Sequence, residues 1–266
     1  MSSGGSGNGE GAALVPRAPV LVHLVCGGKY HDFDFARLQL LTLLGAHEDA
    51  RVTVSGDYRD ADAGLLDGVE FLVTYTCDVR PSLAEQESLR DWVGRGGRWL
   101  ALHGTNAALD LTPGGVVCPR VIPVLAETLG SQFVAHPPIA PYRVEVTAPD
   151  HPLVAGVAPF DTSDELYLSE YHGEVEVLLH TRFAGDAPGF VESSWPEETK
   201  HPVLYLRHLG DGTVLYLTLG HCRSHHDMRP VMDWWPAVDR ASWDLSLFRL
   251  LLQRGVAWGL GKREWA

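Results

Sequence analysis

The feature that most constrains this chain is a rhythm in its first hundred residues. Short apolar runs at residues 20–25 (VLVHLV), 71–75 (FLVTY) and 98–102 (RWLAL) each stop abruptly. They stop at Cys26-Gly27-Gly28, Thr76-Cys77-Asp78 and His103-Gly104-Thr105. A strand with one wet face alternates polar and apolar residues, so continuous apolar runs of this length suit strands covered on both faces. Helical patterns lie between them. Residues 35–44 read as a helix stopped by Gly45. Ser82 with Glu85 forms a capping box, Leu89, Trp92 and Val93 then share one face, and Gly94, Gly96 and Gly97 end the segment. Residues 51–55 supply a further strand. Strands alternating with such helices predict right-handed βαβ units around a mostly parallel sheet, an α/β fold.

The second half is less regular. Residues 142–146 and 175–180 read as strands, and residues 203–208 and 214–219 flank Leu209-Gly210-Asp211-Gly212-Thr213, a hairpin signal. Residues 243–258 are apolar nearly all round and predict a buried closing helix. With 266 residues and no internal break in composition, one domain over residues 19–262 is expected. It would carry a β-rich insertion at roughly residues 131–200 and follow a Gly- and Ser-rich disordered tail, residues 1–18.

Charge and cysteine usage narrow the function classes. Thirty-four acidic against twenty-one basic residues give a formal charge of −13, which disfavours nucleic acid and anionic membrane surfaces as partners. No apolar run reaches the roughly 18 residues of a membrane span, and the tail lacks the apolar core of a signal peptide. Cys26, Cys77, Cys118 and Cys222 are scattered, with no Cys-x-x-Cys pair. Reduced thiols in a cytoplasm are the simplest expectation. Whether copies of the chain assemble into a homo-oligomer is left open.

In open parallel sheets, ligands bind beyond the carboxyl ends of the strands. That edge is predicted to hold Tyr30 and His31, Asp78, then His103 with Thr105 and Asn106, and His221. His103 follows a strand and precedes a tight turn, where a nucleophilic enzyme would place Ser or Cys. An imidazole there can act as acid, base or metal ligand. Asp164 and Glu165, next to Tyr167, offer paired carboxylates for general-base work. Pro137 holds His136 in an extended approach. The catalytic candidates are therefore His103, Glu165 and Asp164. The substrate-binding candidates are His31, Tyr30, Asp78, Thr105, Asn106, His136, Tyr167 and His221. Each has a plainer alternative: a loop histidine bonded to backbone, or a solvated carboxylate serving as a cap. No motif specifies a cofactor, although His103, His221 and Glu165 together would suit a divalent metal such as zinc. The run His221-Cys222-Arg223-Ser224-His225-His226-Asp227 matches no zinc signature. Cys26 and Cys77 are expected to be buried and inert. Trp195, Trp234, Trp235 and Trp243 could stack on sugar rings, or simply pack.

Several motifs, in order, carry a resemblance. They are residues 27–31 (GGKYH), 96–104 (GGRWLALHG), 130–137 (GSQFVAHP), 150–153 (DHPL), 164–167 (DELY) and 212–221 (GTVLYLTLGH). Together, over residues 19–260, they resemble the ThuA-like (trehalose utilisation) family of the class I glutamine-amidotransferase-like superfamily. The resemblance implies a flavodoxin-like three-layer α/β/α sandwich. It also implies a role in utilising trehalose or related glycosides, on a small-molecule carbohydrate such as a keto-sugar derivative. Amidotransferases of this fold place Cys where this chain has His103, and their later His-x-Glu pair is missing here, so glutamine hydrolysis is not expected. The expected function is an enzyme using His/carboxylate acid–base chemistry, a lyase, isomerase or hydrolase. The alternative is a non-catalytic sugar-binding or regulatory module on the same scaffold.

Overall fold

The computed structural model describes residues 18–262; the expected tail lies almost wholly outside the described residues. In chain order the elements are β1 (Val20–Gly28), α1 (Phe33–Gly45), β2 (Ala50–Ser55), β3 (Phe71–Cys77), α2 (Leu83–Gly94) and β4 (Arg98–Leu102). Then come β5 (Asp110–Thr112), β6 (Gly115–Val117), α3 (Pro123–Leu129), β7 (Ser131–Ala135), β8 (Ala140–Val146) and β9 (Phe160–Asp164). The last are β10 (Leu168–Tyr171), β11 (Glu176–Asp186), β12 (Ser194–Leu209), β13 (Gly212–Leu217) and α4 (Ser246–Gly259).

Nine strands form one sheet in the order β2-β1-β3-β4-β13-β12-β11-β8-β9. The pairs β2·β1, β1·β3, β3·β4 and β4·β13 are parallel. The pairs β13·β12, β12·β11, β11·β8 and β8·β9 are antiparallel. The sheet is thus mixed, half parallel and half antiparallel, rather than mostly parallel. The cause is the turn at residues 210–211, where Gly210 adopts φ 59° and reverses the chain between β12 and β13. Every later neighbour in that direction follows by antiparallel pairing. Residues 131–200, expected to be β-rich, supply β7 to β11 and the start of β12.

Strand parity divides the core. On β4, Leu100 and Leu102 face a cluster with Leu40 and Leu44 of α1 and Leu251, Leu252 and Val256 of α4. Trp99 and Ala101 face the opposite cluster, with Leu89, Trp92 and Val93 of α2 and Leu125 and Leu129 of α3. Helices therefore cover both faces of the parallel half, which is why its strands read as continuously apolar. Burying a side chain such as Phe248 contributes about 1.5–3 kcal/mol. The capping box of α2 forms as the sequence predicts, with Glu85 N donating to Ser82 Oγ and Ser82 N to Glu85. Trp243 falls outside the closing helix, on a short 3₁₀ turn at Ala241–Asp244. No helix among the described residues is long and apolar enough to cross a membrane.

Candidate active site

The parallel strands deliver two histidines to one edge by different backbone devices. β1 ends at Gly28, with φ 124°; a Cβ there would stand 2.0 Å from the carbonyl oxygen of Cys77. Only glycine lets this exit lie against the end of β3. The chain then turns through Tyr30, φ 72°, and buries His31. β4 ends in a 3₁₀ turn, and its first residue, His103, adopts φ 47°. That left-handed conformation is costly for a residue with a Cβ. It is held by the Tyr216 hydroxyl, which donates to the His103 carbonyl, and by His103 Nδ1, 2.8 Å from Thr218 O.

The other half of the site comes from the antiparallel side. β9 ends at Asp164, whose carboxylate accepts from the backbone N–H groups of Glu165 (2.7 Å), Gly220 (2.9 Å), His221 (3.1 Å) and Ser242 (3.2 Å). This staples the exit of β9 to the segment after β13. Glu165 and His221 project from the two sides of the staple and meet.

Four buried groups then converge. His31 Nε2 lies 2.9 Å from His103 Nε2, and His103 Nε2 lies 3.4 Å from Glu165 Oε2. His221 Nδ1 lies 3.0 Å from Glu165 Oε1, close but out of line for a hydrogen bond, so both its ring nitrogens lack one. Further out, His136 Nε2 and the Arg223 guanidinium stand 3.5 and 3.8 Å from Glu165 Oε1. Burial, reinforced by His103 and His221, holds the His31 pKa well below the ordinary imidazole range. Burial also opposes charge on His103, but the hydrogen bond and charge of Glu165 outweigh it and raise that pKa. Burial alone would raise the Glu165 pKa; the facing His136 and His221, with the His103 hydrogen bond, hold it well below the carboxylate range instead.

Above this floor opens a cavity of about 470 Å³. Tyr30, His31, His136, Glu165, Tyr167 and Arg223 supply its polar lining. Its walls are apolar, chiefly Leu109, Phe133, Phe190, Met228 and Trp235. His103 and His221 are fully buried beneath it, and the His103 ring packs on Tyr167 at 4.8 Å.

Three expected residues are held elsewhere. Asp78 is tied to Lys29 (2.7 Å), Arg80 (2.8 Å) and the backbone of Leu109, beside a separate cleft with Arg59 and Glu85. Thr105 donates to Leu102 O and caps the turn from within, while Asn106 Nδ2 donates to Ser131 Oγ. Both are buried and off the cavity. Asp164, also expected to be catalytic, has all its hydrogen bonds with backbone amides. Of the four tryptophans named from the sequence only Trp235 lines the cavity; Trp243 donates to Gly220 O, Trp195 packs against a small cluster that includes Val134 and Leu166, and Trp234 stacks on His225 at 4.0 Å. Arg223 and the wall residue Phe190 carried no sequence signal as site residues, because neither lies at a strand exit. All four cysteines are free and buried. Burial pushes the thiols of Cys26, Cys118 and Cys222 up to about 12, and that of Cys77 well above its ordinary value.

The sequence pattern of the ThuA family, described as trehalose utilisation, matches residues 20–234. Among solved structures, a ThuA-like protein from Bacteroides uniformis ATCC 8492 is similar at 17% identity and TM-score 0.60, over 92% of this chain and 94% of that one. A ThuA-like protein from Parabacteroides merdae ATCC 43184 is similar at 15% identity and TM-score 0.59, over 92% and 91%. At such identities these two show the fold alone. No curated protein matches the sequence. With the family pattern spanning most of the chain, the protein belongs to the ThuA, trehalose utilisation, family.

Proposed function

We propose that this protein is an enzyme of carbohydrate utilisation that moves a proton on a keto-sugar derivative of trehalose or a related glycoside. The observation that carries this reading is the buried carboxylate Glu165 ringed by imidazoles at the floor of a cavity large enough for a sugar. His136 is the base. Its Nδ1 is 2.8 Å from Pro137 O, an acceptor, so Nδ1 carries the hydrogen and Nε2 keeps its lone pair at the cavity surface. Glu165, 3.5 Å away, stabilises the imidazolium that forms. A C–H bond beside the substrate carbonyl breaks, its proton passes to His136 Nε2, and its electron pair moves onto the carbonyl oxygen as an enolate. Arg223 and the floor stabilise that oxygen. Transfer of the adjacent hydroxyl's proton to that oxygen, with return of the first proton to the former carbonyl carbon, gives isomerisation; loss of a β-substituent gives elimination. His103, covered by Tyr167, acts through Glu165 and His31 as a positioning residue.

The remaining expectations fit this reading. The order β2-β1-β3-β4-β13 with helices on both faces supports a flavodoxin-like three-layer sandwich of the class I glutamine-amidotransferase type, with the β-rich region as its elaboration. His103 at the nucleophile turn and the raised thiol pKa values support an activity other than glutamine hydrolysis. The acidic surface favours a free small-molecule carbohydrate over nucleic acid or membrane, in a cytoplasmic setting.

The test is proton exchange. Keto-glucosides and keto-trehalose are incubated with the protein in D₂O, and deuterium beside the carbonyl is followed by NMR. Exchange by the wild type, lost in His136→Ala and Glu165→Gln variants that remain folded, is expected. Ligand-induced thermal stabilisation without exchange or product would replace the enzyme with a sugar-binding module.

A further inference from the structure

We infer that His31, His103, His221 and Glu165 form a binding site for one divalent transition-metal ion in the cavity floor. This deepens the functional reading and rests on it only for what the ion would act upon. The tautomers carry the argument. His103 Nδ1 lies 2.8 Å from Thr218 O and His31 Nδ1 lies 3.2 Å from Lys29 O. A carbonyl oxygen only accepts, so both Nδ1 atoms carry the hydrogen. In the neutral rings both Nε2 atoms are then left with lone pairs, and these point at each other across 2.9 Å. Two bare lone pairs repel at that distance unless something positive lies against them.

A second observation is independent of the first. His221 is fully buried, and neither of its ring nitrogens has a hydrogen bond, although Nδ1 faces the same point. A buried imidazole without a hydrogen bond is destabilising, and a ligand bond would satisfy it. The fourth donor, Glu165, brings the negative charge that a divalent ion needs. The four donor atoms already lie within 4.8 Å of one another. A tetrahedral ion with bonds of about 2.0–2.1 Å holds its donors about 3.3 Å apart, so small ring rotations close the set.

The outer contacts match as well. Ligating histidines are oriented by an acceptor on their other nitrogen. Here those acceptors are Lys29 O for His31 and Thr218 O for His103; beside His221 Nε2 stands Asp239 Oδ2, 4.0 Å away and itself held by Trp235 Nε1 at 3.1 Å. Three imidazoles with one carboxylate suit first-row transition ions over magnesium or calcium. His31 and Glu165 also line the cavity, so an ion expanding to a fifth ligand on that side would meet the substrate space and polarise a carbonyl or hydroxyl oxygen there.

The test needs no substrate. Protein stripped with a chelator is titrated with zinc by calorimetry, with cobalt(II) by its visible absorption, and with magnesium as a hard-ion control. Expected are about one zinc and one cobalt per chain, intense cobalt bands of a low-coordinate nitrogen-rich site, and no magnesium binding. Glu165→Gln and His31→Ala should weaken zinc at least about 10-fold, while the double variant His225→Ala/His226→Ala should bind like wild type. Failure of the wild type to bind cobalt overturns the site whatever the variants do, and leaves a shared proton between His31 and His103. Equal binding in the His31 and Glu165 variants overturns it too. Zinc binding without proton exchange on any keto-sugar sinks the enzymatic reading alone. Exchange by a stripped protein that takes up no metal sinks the metal site alone.

Discussion

Removing the Asp164 carboxylate should damage stability far more than a missing catalytic group would. The side chain is buried and accepts four backbone N–H groups, from residues 165, 220, 221 and 242. Asp164→Ala leaves those donors facing a void. A hydrogen bond to a charged acceptor contributes about 1.5–3 kcal/mol, and each stranded buried donor costs about 1–3 kcal/mol. The four share one carboxylate, and a water can enter the space left behind, so the sum is sub-additive; about 3–5 kcal/mol is expected overall. At roughly 2–4 °C per kcal/mol for a chain of this size, the melting temperature falls by about 10 °C. Asp164→Asn keeps one acceptor oxygen but sets an amide NH₂ against backbone donors, so it should cost nearly as much. The assay is urea unfolding by circular dichroism and tryptophan fluorescence with linear extrapolation, checking that the slope against urea is unchanged. A midpoint shift equivalent to less than about 1 kcal/mol would refute the stapling argument. Wild-type stability with lost activity would return Asp164 to the catalytic role that its sequence neighbourhood suggested.

Three further outcomes are expected. Gly104→Ala places a Cβ 2.6 Å from Thr76 O and 2.9 Å from Cys77 Cβ; backbone must shift, costing about 1–3 kcal/mol, and thermal unfolding will show it. Burial lowers the pKa values of His23 and His201 in the folded protein. The unfolded chain therefore takes up protons first as pH falls below about 6.5, so stability present above that pH is lost towards the folded pKa values. Urea midpoints at pH 7.5 and 5.0 should show the decline, and His23→Asn should flatten it; a midpoint that rises on acidification would contradict the burial argument. The four buried thiols should react with a disulfide reagent at pH 7.5 at least about 10-fold more slowly in the native than in the unfolded protein. Equal rates would place a thiol at the surface.

The fold was legible where local chemistry and tertiary burial agree. The apolar runs of β1, β3 and β4 and the capping box at Ser82 are decided by nearest neighbours and by helices on both faces, and the structure forms them as read. The antiparallel half was less legible, because β8 and β9 are half-exposed strands whose pairing is set by register with distant partners. The site divides in the same way. His31, His103 and His221 could be found because each stands at a strand exit. Thr105, Asn106 and Asp78 stand at the same exits but turn inwards or sideways, towards Leu102 O, Ser131 and Lys29. Strand position fixes where a Cα lies; which way the side chain turns depends on partners tens of residues away, such as Ser131 for Asn106. Phe190 and Arg223 enter the cavity from loops, whose path no periodicity encodes.

The division of the sheet explains how one edge can gather so many imidazoles without collapsing. The parallel half fixes His31 and His103 by backbone strain: positive φ at Tyr30 and His103, and glycine where β1 approaches β3. Such strain persists only where surrounding structure over-determines it, and at His103 Tyr216 and Thr218, both of the β13 arm, do the holding. The same arm runs on to Gly220 and His221, where Asp164 grips it. β13 is therefore the mechanical link between the two halves, parallel to β4 on one side and antiparallel to β12 on the other. A change in its register would move the Thr218 carbonyl from His103 and the His221 ring from Glu165 together. The geometry of the floor thus behaves as one unit: damage along β13 should abolish metal uptake and proton exchange in parallel, whereas damage to the wall at Phe190 should alter substrate binding and leave the floor intact.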